Sequence, residues 1–353
     1  MIAVVSCADT FAGAEHYLEL LMGELRHEHR FTAMVAGAAP ALARARFAEA
    51  GASVEVVPGL SRHSSPMGVA AMMRALERMS PELVHVNLTD QGDGMGALLA
   101  GRLSRRPVVA TLHNAVPGRA RWRERVSRVF LALPQRTVAV SASVGRYLAE
   151  AGVDGHMVIE NGIHAPVTDA DARAQLGGEP HRFLVCGLGR LHRQKGWDIL
   201  CRAAMLVTEQ RPDVDFVVLG EGEERSRLAA MAGCRAVRFV GHRPEAPTLL
   251  AGADLMVLPS RFEALPLSLL EAMHLGVPVI ASRVGGVPEA VDDTAVLVSP
   301  EEPEQLAQAI LALMEDPDRR RQLALAAKAR AQRLFRADRM ARQTAALYAS
   351  VLG

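Results

Sequence analysis

The chain has 353 residues, of which 50% are hydrophobic and 22% are charged, and its formal net charge is +1. This length exceeds one typical core and predicts two domains, and the composition excludes a disordered chain. The near-neutral charge gives no reason to expect a nucleic-acid partner. No uncharged apolar run approaches the length of a membrane-spanning helix, and we expect the N-terminal apolar run to be a β-strand rather than a signal peptide.

Short apolar runs alternate with helical patterns through the first half of the chain. The predicted strands are residues 2–5, 31–35, 54–57, 83–86, 108–112 and 138–140, and the predicted helices include residues 15–26, 67–79 and 121–133. Uninterrupted apolar strands that alternate with helices indicate a parallel sheet covered on both faces.

The same alternation repeats in the second half. The predicted strands are residues 183–188, 215–219, 237–240, 255–258, 277–281 and 295–298, and the predicted helices are residues 196–210, 223–231, 266–275 and 304–314. The polar segment 161–180 suits a linker. A long helical region, residues 316–352, has a break at residues 335–338.

The fold class is therefore α/β, with two Rossmann-like doubly wound domains. We expect a first domain at residues 1–165, a second at residues 166–334, and a final helix at residues 335–353 that crosses back to the first domain. Ligands of such sheets bind beyond the carboxyl ends of the strands. Two sheets that face each other would leave a cleft between the domains.

Four cysteines stand at positions 7, 186, 201 and 234, and no two form a Cys-x-x-Cys pair. Cys7 and Cys186 lie in or just after apolar runs, where a buried thiol is expected. The pattern suits a reducing compartment, so we expect a cytoplasmic protein. Asp169-Ala-Asp171 matches a metal-binding Asp-x-Asp string, but its place in the linker favours helix-start chemistry. We therefore expect no metal site.

Two strand ends in the first half carry candidate ligand-binding residues. Ala12 and Gly13 belong to a small-residue turn that could approach a phosphate or an acceptor, although a plain βα turn is the other interpretation. His113 and Asn114 follow the strand at residues 108–112. There His113 could hydrogen-bond a sugar hydroxyl or the transferring oxygen, and a structural histidine is the alternative.

Arginines crowd the segment from Arg119 to Arg136, which holds six of them together with one glutamate and Trp122. One interpretation is contact with anionic lipid or with an anionic acceptor. Such contact would place the protein peripherally at the inner membrane face. A solvated helix near the linker is the other interpretation.

Gly189, Arg190 and Lys195 follow the first strand of the second half. Glycine lets the backbone approach a ligand, and both cations could reach a diphosphate. The dinucleotide fingerprint Gly-x-Gly-x-x-Gly fails because His192 stands where its third glycine is required. Two surface cations on a turn are the alternative.

A second turn in this half combines a strand end, a proline and a helix. Pro266 is placed as the first helical residue and Gly276 as the helix cap. The backbone N–H groups of Ala264, Leu265 and Leu267 would then point out of a strand end, where a phosphate oxyanion binds.

Glu263 precedes this helix and Glu271 lies inside it. A carboxylate accepts two hydroxyl hydrogen bonds at once, which suits a ribose diol or sugar hydroxyls. Two glutamates at this spacing often form a solvated helix face, but the strand–proline–helix context favours a binding role.

Together these residues resemble family 4 of the GT-B glycosyltransferases over nearly the whole chain. The resemblance is sharpest in residues 261–276 with Pro278, and residues 189–196, 237–241 and 285–289 also match family strings. The first half matches more loosely, because Ala12 stands where the family commonly has a glycine.

The resemblance implies a retaining hexosyl- or N-acetylhexosaminyltransferase that requires no metal and no cofactor. Its donor would be a nucleotide-diphosphate sugar, with UDP favoured, and its acceptor a hydroxyl in glycan, glycolipid or secondary-metabolite biosynthesis. The implied donor-side residues are Gly13, Gly189, Arg190, Lys195, His242, Arg243, Glu263, Ala264, Leu265, Leu267 and Glu271. The implied acceptor-side residues are Ala12, Gly13, Glu15, His113 and Asn114. His113, Arg190, Lys195 and Glu263 are the candidate catalytic residues.

Three other classes stay open at this point. A GT-B epimerase or phosphorylase would share the fold and turn over the donor without a separate hydroxyl acceptor. A non-catalytic sugar-nucleotide-binding protein would keep the site but could lose the cationic pair. A nicotinamide-dependent oxidoreductase would need the glycine fingerprint that fails here.

Overall fold

The computed structural model describes residues 1–63, 65–118 and 120–353, without the side chain of Ala232. The chain divides into two units. The first contains Met1–Ile163 together with Arg336–Gly353, and the second contains His164–Phe335.

A seven-stranded parallel sheet forms the centre of the first unit. Its strands are β1 (Ile2–Ser6), β2 (Phe31–Ala36), β3 (Ser53–Val57), β4 (Leu83–Leu88), β5 (Val108–Leu112), β6 (Arg136–Ala139) and β7 (Met157–Val158). Their order is β3-β2-β1-β4-β5-β6-β7, so the direction of the connections reverses between β1 and β4. The connecting helices are α1 (Gly13–Leu25), α2 (Ala41–Glu49), α3 (Pro66–Met79), α4 (Met95–Leu103), α5 (Arg121–Leu131) and α6 (Ala142–Glu150).

The second unit repeats this plan with six parallel strands. They are β8 (Phe183–Leu188), β9 (Val214–Leu219), β10 (Val237–Gly241), β11 (Leu255–Leu258), β12 (Val279–Ser282) and β13 (Val296–Val298). Their order is β10-β9-β8-β11-β12-β13, with the reversal between β8 and β11. The helices are α7 (Ala172–Gln175), α8 (Trp197–Gln210), α9 (Arg225–Ala230), α10 (Ala246–Leu249), α11 (Leu267–Leu275), α12 (Val287–Val291), α13 (Pro303–Glu315) and α14 (Pro317–Leu334).

After Phe335 the chain returns to the first unit as α15 (Ala337–Leu352), which packs against α1. Gly162 lies so close to this return that a Cβ there would be 2.1 Å from the carbonyl oxygen of Arg336. The buried Tyr348 hydroxyl lies 2.5 Å from His85 Nδ1 on β4. Burial lowers the pKa of His85 to about 3, so this contact involves a neutral imidazole.

The predicted fold class is confirmed, since both sheets are parallel and doubly wound. Every predicted strand is present, although the strand expected at residues 277–281 is Val279–Ser282. β1 and β5 are buried at every residue, as strands covered on both faces should be. The prediction named no helix at α2, α4, α6 or α10, and it omitted β7. α2 buries only Ala43 and Phe47, and β7 is two exposed residues long, so neither has a strong apolar pattern.

The cysteines depart in part from the thiol chemistry expected of a reducing compartment. Cys201 on α8 and Cys234 in the short 3-10 helix Ala232–Ala236 form a disulfide with an S–S distance of 1.92 Å. Cys7 and Cys186 are free and buried, as predicted. Over the described residues, no helix has both the length and the apolarity needed to cross a bilayer.

Candidate functional site

The carboxyl edge of the second sheet, where its strands end, brings together two segments on either side of the strand-order reversal. One segment follows β8 and contains the 3-10 turn Arg193–Lys195, and the other is the loop of residues 259–266 after β11. Gly196 has φ 68°, and a Cβ there would lie 2.0 Å from the carbonyl oxygen of Pro259. Only glycine therefore permits this close approach of the two segments.

A charged pair joins these two segments. Lys195 Nζ donates to Glu263 Oε1 at 2.6 Å, and Ser260 Oγ donates to the same oxygen at 2.8 Å. Glu263 and Ser260 are buried, and only 16% of the Lys195 side chain is exposed. Gly285, after β12, packs so tightly on this loop that a Cβ would lie 1.6 Å from the Glu263 carbonyl oxygen. The sequence therefore placed Lys195 and Glu263 correctly at strand ends, and the structure puts them in direct contact.

Arg261 and Asp198 form a second, bidentate link between the same segments, which the sequence analysis missed. The Arg261 guanidinium donates to Asp198 Oδ1 at 2.9 Å and to Oδ2 at 2.8 Å, and also to the Arg193 carbonyl oxygen at 2.8 Å. Burial alone would raise the pKa of Asp198, but its hydrogen bonds with Arg261 bring that pKa below its ordinary value. This pair fixes the position of the turn that carries Lys195.

Backbone contacts complete the link. Arg261 N donates to the Gln194 carbonyl oxygen at 2.8 Å, and Gln194 Nε2 donates to the Phe262 carbonyl oxygen at 2.9 Å. A signal for these partners was present in the sequence, because Arg261 begins the string at residues 261–276 and Asp198 closely follows the string at residues 189–196. Their mutual contact, across 63 residues, depends on the order of the strands.

The helix after the Glu263 loop begins one residue later than predicted. Pro266 is the N-cap of α11 rather than its first helical residue, because its ψ of 131° is extended. Leu269 N donates to the Pro266 carbonyl oxygen at 3.1 Å and closes the first turn. First-turn N–H groups, including that of Leu267, have no acceptor within their own helix and are available to an anion. Gly276 caps the helix in the left-handed conformation, as predicted.

Other predicted donor-side residues of the second unit lie in the segment after β8 or in the loop and helix after β11. Ala264 and Leu265 are buried just before α11, and Glu271 is half-buried within it. Arg190 is exposed beyond Gly189, and its carbonyl oxygen accepts a 2.9 Å hydrogen bond from Trp197 Nε1.

His242 and Arg243 follow β10, the outermost strand of this sheet. His242 is exposed, and Arg243 Nε donates to Glu245 Oε1 at 2.6 Å. No described contact joins either residue to the Lys195–Glu263 pair, so the structure does not bring these two into the linked segments.

At the carboxyl edge of the first sheet, His113 is held by a neutral network. Asn87 on β4 donates from Nδ2 to the Ala14 carbonyl oxygen at 3.0 Å, which turns its Oδ1 towards His113 Nε2 at 2.7 Å. The Tyr17 ring packs edge-on at 4.8 Å between centroids. Burial, with a smaller contribution from His85, lowers the pKa of His113 to about 3. The imidazole is therefore neutral, donates from Nε2 and keeps its lone pair on Nδ1.

Glu15 shapes the turn after β1 from inside the unit. Its carboxylate accepts from Ser6 Oγ at 3.1 Å and from Ala12 N at 3.2 Å. Burial raises its pKa from an ordinary 4.5 to about 7. Ala12 and Gly13 are exposed at the start of α1, whereas the Glu15 carboxylate is buried and fixes their backbone.

The loop after His113 is also fixed by a buried amide. Gln91 Nε2 donates to the Val116 carbonyl oxygen at 2.8 Å, and Val116 N donates to Gln91 Oε1 at 2.9 Å. Asn114 lies half-buried within this loop. Sequence reasoning missed Asn87 and Gln91, and the available signal for Asn87 was its position directly after the predicted strand at residues 83–86.

Among the described residues, no three His, Cys, Asp or Glu side chains come together in a group that could hold a metal ion. Asp169 accepts from Asp171 N at 2.9 Å and from Gln175 Nε2 at 2.7 Å. These bonds organise the start of α7, as predicted for the Asp-x-Asp string.

Comparison with solved structures defines the class of fold. The Anabaena protein HepE, solved in complex with UDP and glucose, superposes with a TM-score of 0.86 at 23% identity and covers 99% of each chain. Its structure and those of other neighbours place the chain among proteins of the GT-B fold.

Sequence comparison defines the family. The model described as Glycosyltransferase Family 4 matches residues 11–165, and Glycosyl transferases group 1 matches residues 182–316. A lipopolysaccharide core biosynthesis mannosyltransferase of Rhizobium meliloti is 31% identical over 238 residues, which span 62% of this chain and 68% of that protein. An alpha-D-kanosaminyltransferase of Streptomyces kanamyceticus is 32% identical over 171 residues, 44% of each chain. The chain is a glycosyltransferase and belongs to glycosyltransferase family 4.

Proposed function

We propose that the protein is a retaining transferase that moves a sugar from a nucleotide-diphosphate donor, preferentially a UDP-sugar, to a hydroxyl acceptor. The acceptor would belong to glycan, glycolipid or secondary-metabolite biosynthesis. The observation that carries the proposal is the Lys195–Glu263 contact beside the first turn of α11. It combines a cation and the N–H groups of a helix N-terminus for a diphosphate with a carboxylate for sugar hydroxyls.

The chemistry follows from the charges that develop when the nucleoside diphosphate departs. Negative charge grows on the phosphate, and Lys195, Arg190 and the first turn of α11 oppose it. Judging by the removal of single oxyanion donors in enzymes, each such contact supplies on the order of 2–4 kcal/mol to the transition state. Lys195 is already oriented by Glu263, so little reorganisation accompanies the reaction.

Glu263 has a second role in this proposal. Its carboxylate accepts from Lys195 and Ser260 through Oε1. A carboxylate has two oxygens with about four acceptor sites, so a transferred sugar can donate hydroxyl hydrogens to it while the link to Lys195 persists. The acceptor oxygen would bond to the anomeric carbon on the face from which the phosphate departs, and the departing phosphate would take the acceptor proton, so the anomeric configuration is retained.

His113 would serve the acceptor side in its neutral form. Because Nε2 is occupied by Asn87, the Nδ1 lone pair is the position that can accept a hydrogen bond from a sugar or acceptor hydroxyl. A charged imidazole could not accept that bond.

A thermal-shift screen against UDP, GDP, ADP, CDP and their sugars tests the donor assignment. A nucleoside diphosphate that binds only the folded protein raises the melting temperature through linkage. We expect the largest shift with uridine compounds, and a shift with none of the four would contradict the proposal.

The reaction itself is tested with the donor so identified and a panel of hydroxyl acceptors. NMR of the product should show the anomeric configuration of the donor. Inversion would overturn the retaining assignment, and donor turnover that yields an epimer, with no transfer to any acceptor, would overturn the transferase assignment.

A further inference from the structure

Helix α5 presents an apolar stripe on its outer face. Trp122, Val126 and Val129 are 64%, 39% and 65% exposed, and their spacing of four and three residues places them on one side of the helix. Ser127 and Leu131, on the other side, are buried in the first unit. α5 is therefore anchored by one face and offers a second apolar face that no described residue covers.

Arginines border this stripe. Arg121, Arg125 and Arg128 have the same four-and-three spacing and form an exposed row next to it. Within the part of the chain that the structure describes, no carboxylate pairs with these three residues. Glu124, the single acidic residue of the helix, turns inward and accepts from the Tyr147 hydroxyl. The Arg123 guanidinium lies 5.2 Å from the centre of the Trp122 ring.

This concentration of charge contrasts with the rest of the protein. Residues 119–136 contain six arginines and one glutamate, a net charge of +5, whereas the whole chain carries +1. Arg119 itself lies outside the described residues. The remainder of the chain is therefore net negative, and the positive charge is concentrated in α5 and its flanking residues.

We propose that the outer face of α5 docks on the anionic surface of a lipid bilayer. Tryptophan and valine would enter the headgroup boundary, and the arginine row would meet the lipid phosphates while its aliphatic stems cover apolar surface. A second copy of this chain fits less well, because a symmetric contact would set the arginine row of one copy against that of the other. Docking uses no residue of the proposed donor site.

Vesicle co-sedimentation of the purified full chain tests this proposal. We expect binding to vesicles of phosphatidylcholine with about 30% phosphatidylglycerol at about 0.1 M salt, and little binding to phosphatidylcholine alone. Replacing Arg121, Arg125 and Arg128 by Gln should weaken binding about 100-fold, at roughly 5-fold for each arginine. Trp122→Ala should weaken it on the order of 10-fold.

α14 supplies a matched control. Arg319, Arg321 and Arg333 are exposed on it, and Leu325 is 66% exposed. The triple Gln variant of those arginines changes the net charge equally, and Leu325→Ala removes one exposed apolar side chain. Both should leave vesicle binding unchanged.

Three results would overturn the proposal. The first is that the chain does not bind anionic vesicles. The second is that the α5 and α14 variants lose vesicle binding equally. The third is that the chain self-associates and Trp122→Ala abolishes that self-association. A UDP thermal shift measured on the same α5 variants should equal that of the unmodified chain. This thermal shift separates a failure of docking from a failure of the proposed transferase site. A folded chain that binds UDP but does not bind vesicles would refute docking alone.

Discussion

The carboxyl edges of the two sheets share one strand topology but differ in chemistry. In the second unit the edge is built from charges, with Lys195 on Glu263 and Arg261 on Asp198. In the first unit the groups around His113 are neutral, namely the Asn87 amide, the Tyr17 ring and the imidazole itself, whose pKa is lowered to about 3. Strand order thus determines where a site lies, whereas the loop residues determine whether it suits a diphosphate or a hydroxyl.

Loss of Lys195 should have the largest effect, because it removes the cation of the charged edge. Lys195→Ala should lower kcat/KM about 100- to 1,000-fold, the range seen for single oxyanion donors. The melting temperature should also fall, because the buried Glu263 carboxylate loses its cation, so kcat/KM is compared at a temperature where the variant is fully folded. Arg193→Ala is the matched control, since the Arg193 side chain is exposed on the same turn and the described contacts use only its carbonyl oxygen. Equal losses in the two variants would refute the assignment.

Glu15, at the edge of the first sheet, should make the unfolding free energy depend on pH. The pKa of Glu15 is raised to about 7 in the folded protein, so the unfolded chain loses this proton at lower pH than the folded one does. The contribution of Glu15 to the unfolding free energy is therefore fully present below about pH 4.5. It declines by about 3 kcal/mol as pH rises to about 7.

Glu15→Gln, which mimics the protonated acid, should lack this decline. The pKa values of His85 and His113 are lowered, so their contribution to the unfolding free energy declines as pH falls below about 6.5. This change is opposite in direction to that of Glu15. The informative quantity is thus the difference in unfolding free energy between the wild type and the variant, with Glu28→Gln as an exposed control. A difference independent of pH would contradict the burial of an acid form at Glu15.

The Arg261–Asp198 pair should show a measurable coupling. In a double-mutant cycle with Arg261→Gln and Asp198→Asn, we expect each single change to cost about 2 kcal/mol of unfolding free energy, with a coupling of about 1–2 kcal/mol. The exposed Arg321–Asp318 pair has a similar 2.8 Å separation and should couple by less than about 1 kcal/mol. Equal coupling in the two cycles would mean that the Arg261 link is only a surface ion pair.

Chelation should have the smallest effect. Because Lys195, Arg190 and a helix N-terminus are proposed to hold the diphosphate, EDTA should leave the transfer rate unchanged within error. A large loss of transfer rate that added magnesium or manganese reverses would show that a metal ion helps to hold the diphosphate.

The sequence predicted the framework of the molecule better than its contacts. Buried parallel strands are continuous apolar runs, so β1, β4 and β5 were visible at once, whereas the two exposed residues of β7 were not. Lys195 and Glu263 were found because each lies in a turn between a predicted strand and a predicted helix.

The contacts that were missed connect residues far apart in the chain. Arg261 meets Asp198 across 63 residues, and Cys201 meets Cys234 across 33, and no local spacing encodes either distance. The Pro266 position differed by one residue because its ψ, which decides between cap and first helical residue, is not visible in the sequence.

Calorimetric titration of UDP, UMP and uridine into the wild type and Lys195→Ala tests the central claim most directly. If the charged edge of the second unit holds the diphosphate, wild-type affinity should fall in the order UDP, UMP, uridine. The advantage of UDP over uridine should shrink at least about 10-fold in the variant, since a charge-assisted hydrogen bond contributes about 1.5–3 kcal/mol. An unchanged ratio of UDP to uridine affinity in Lys195→Ala would contradict the account.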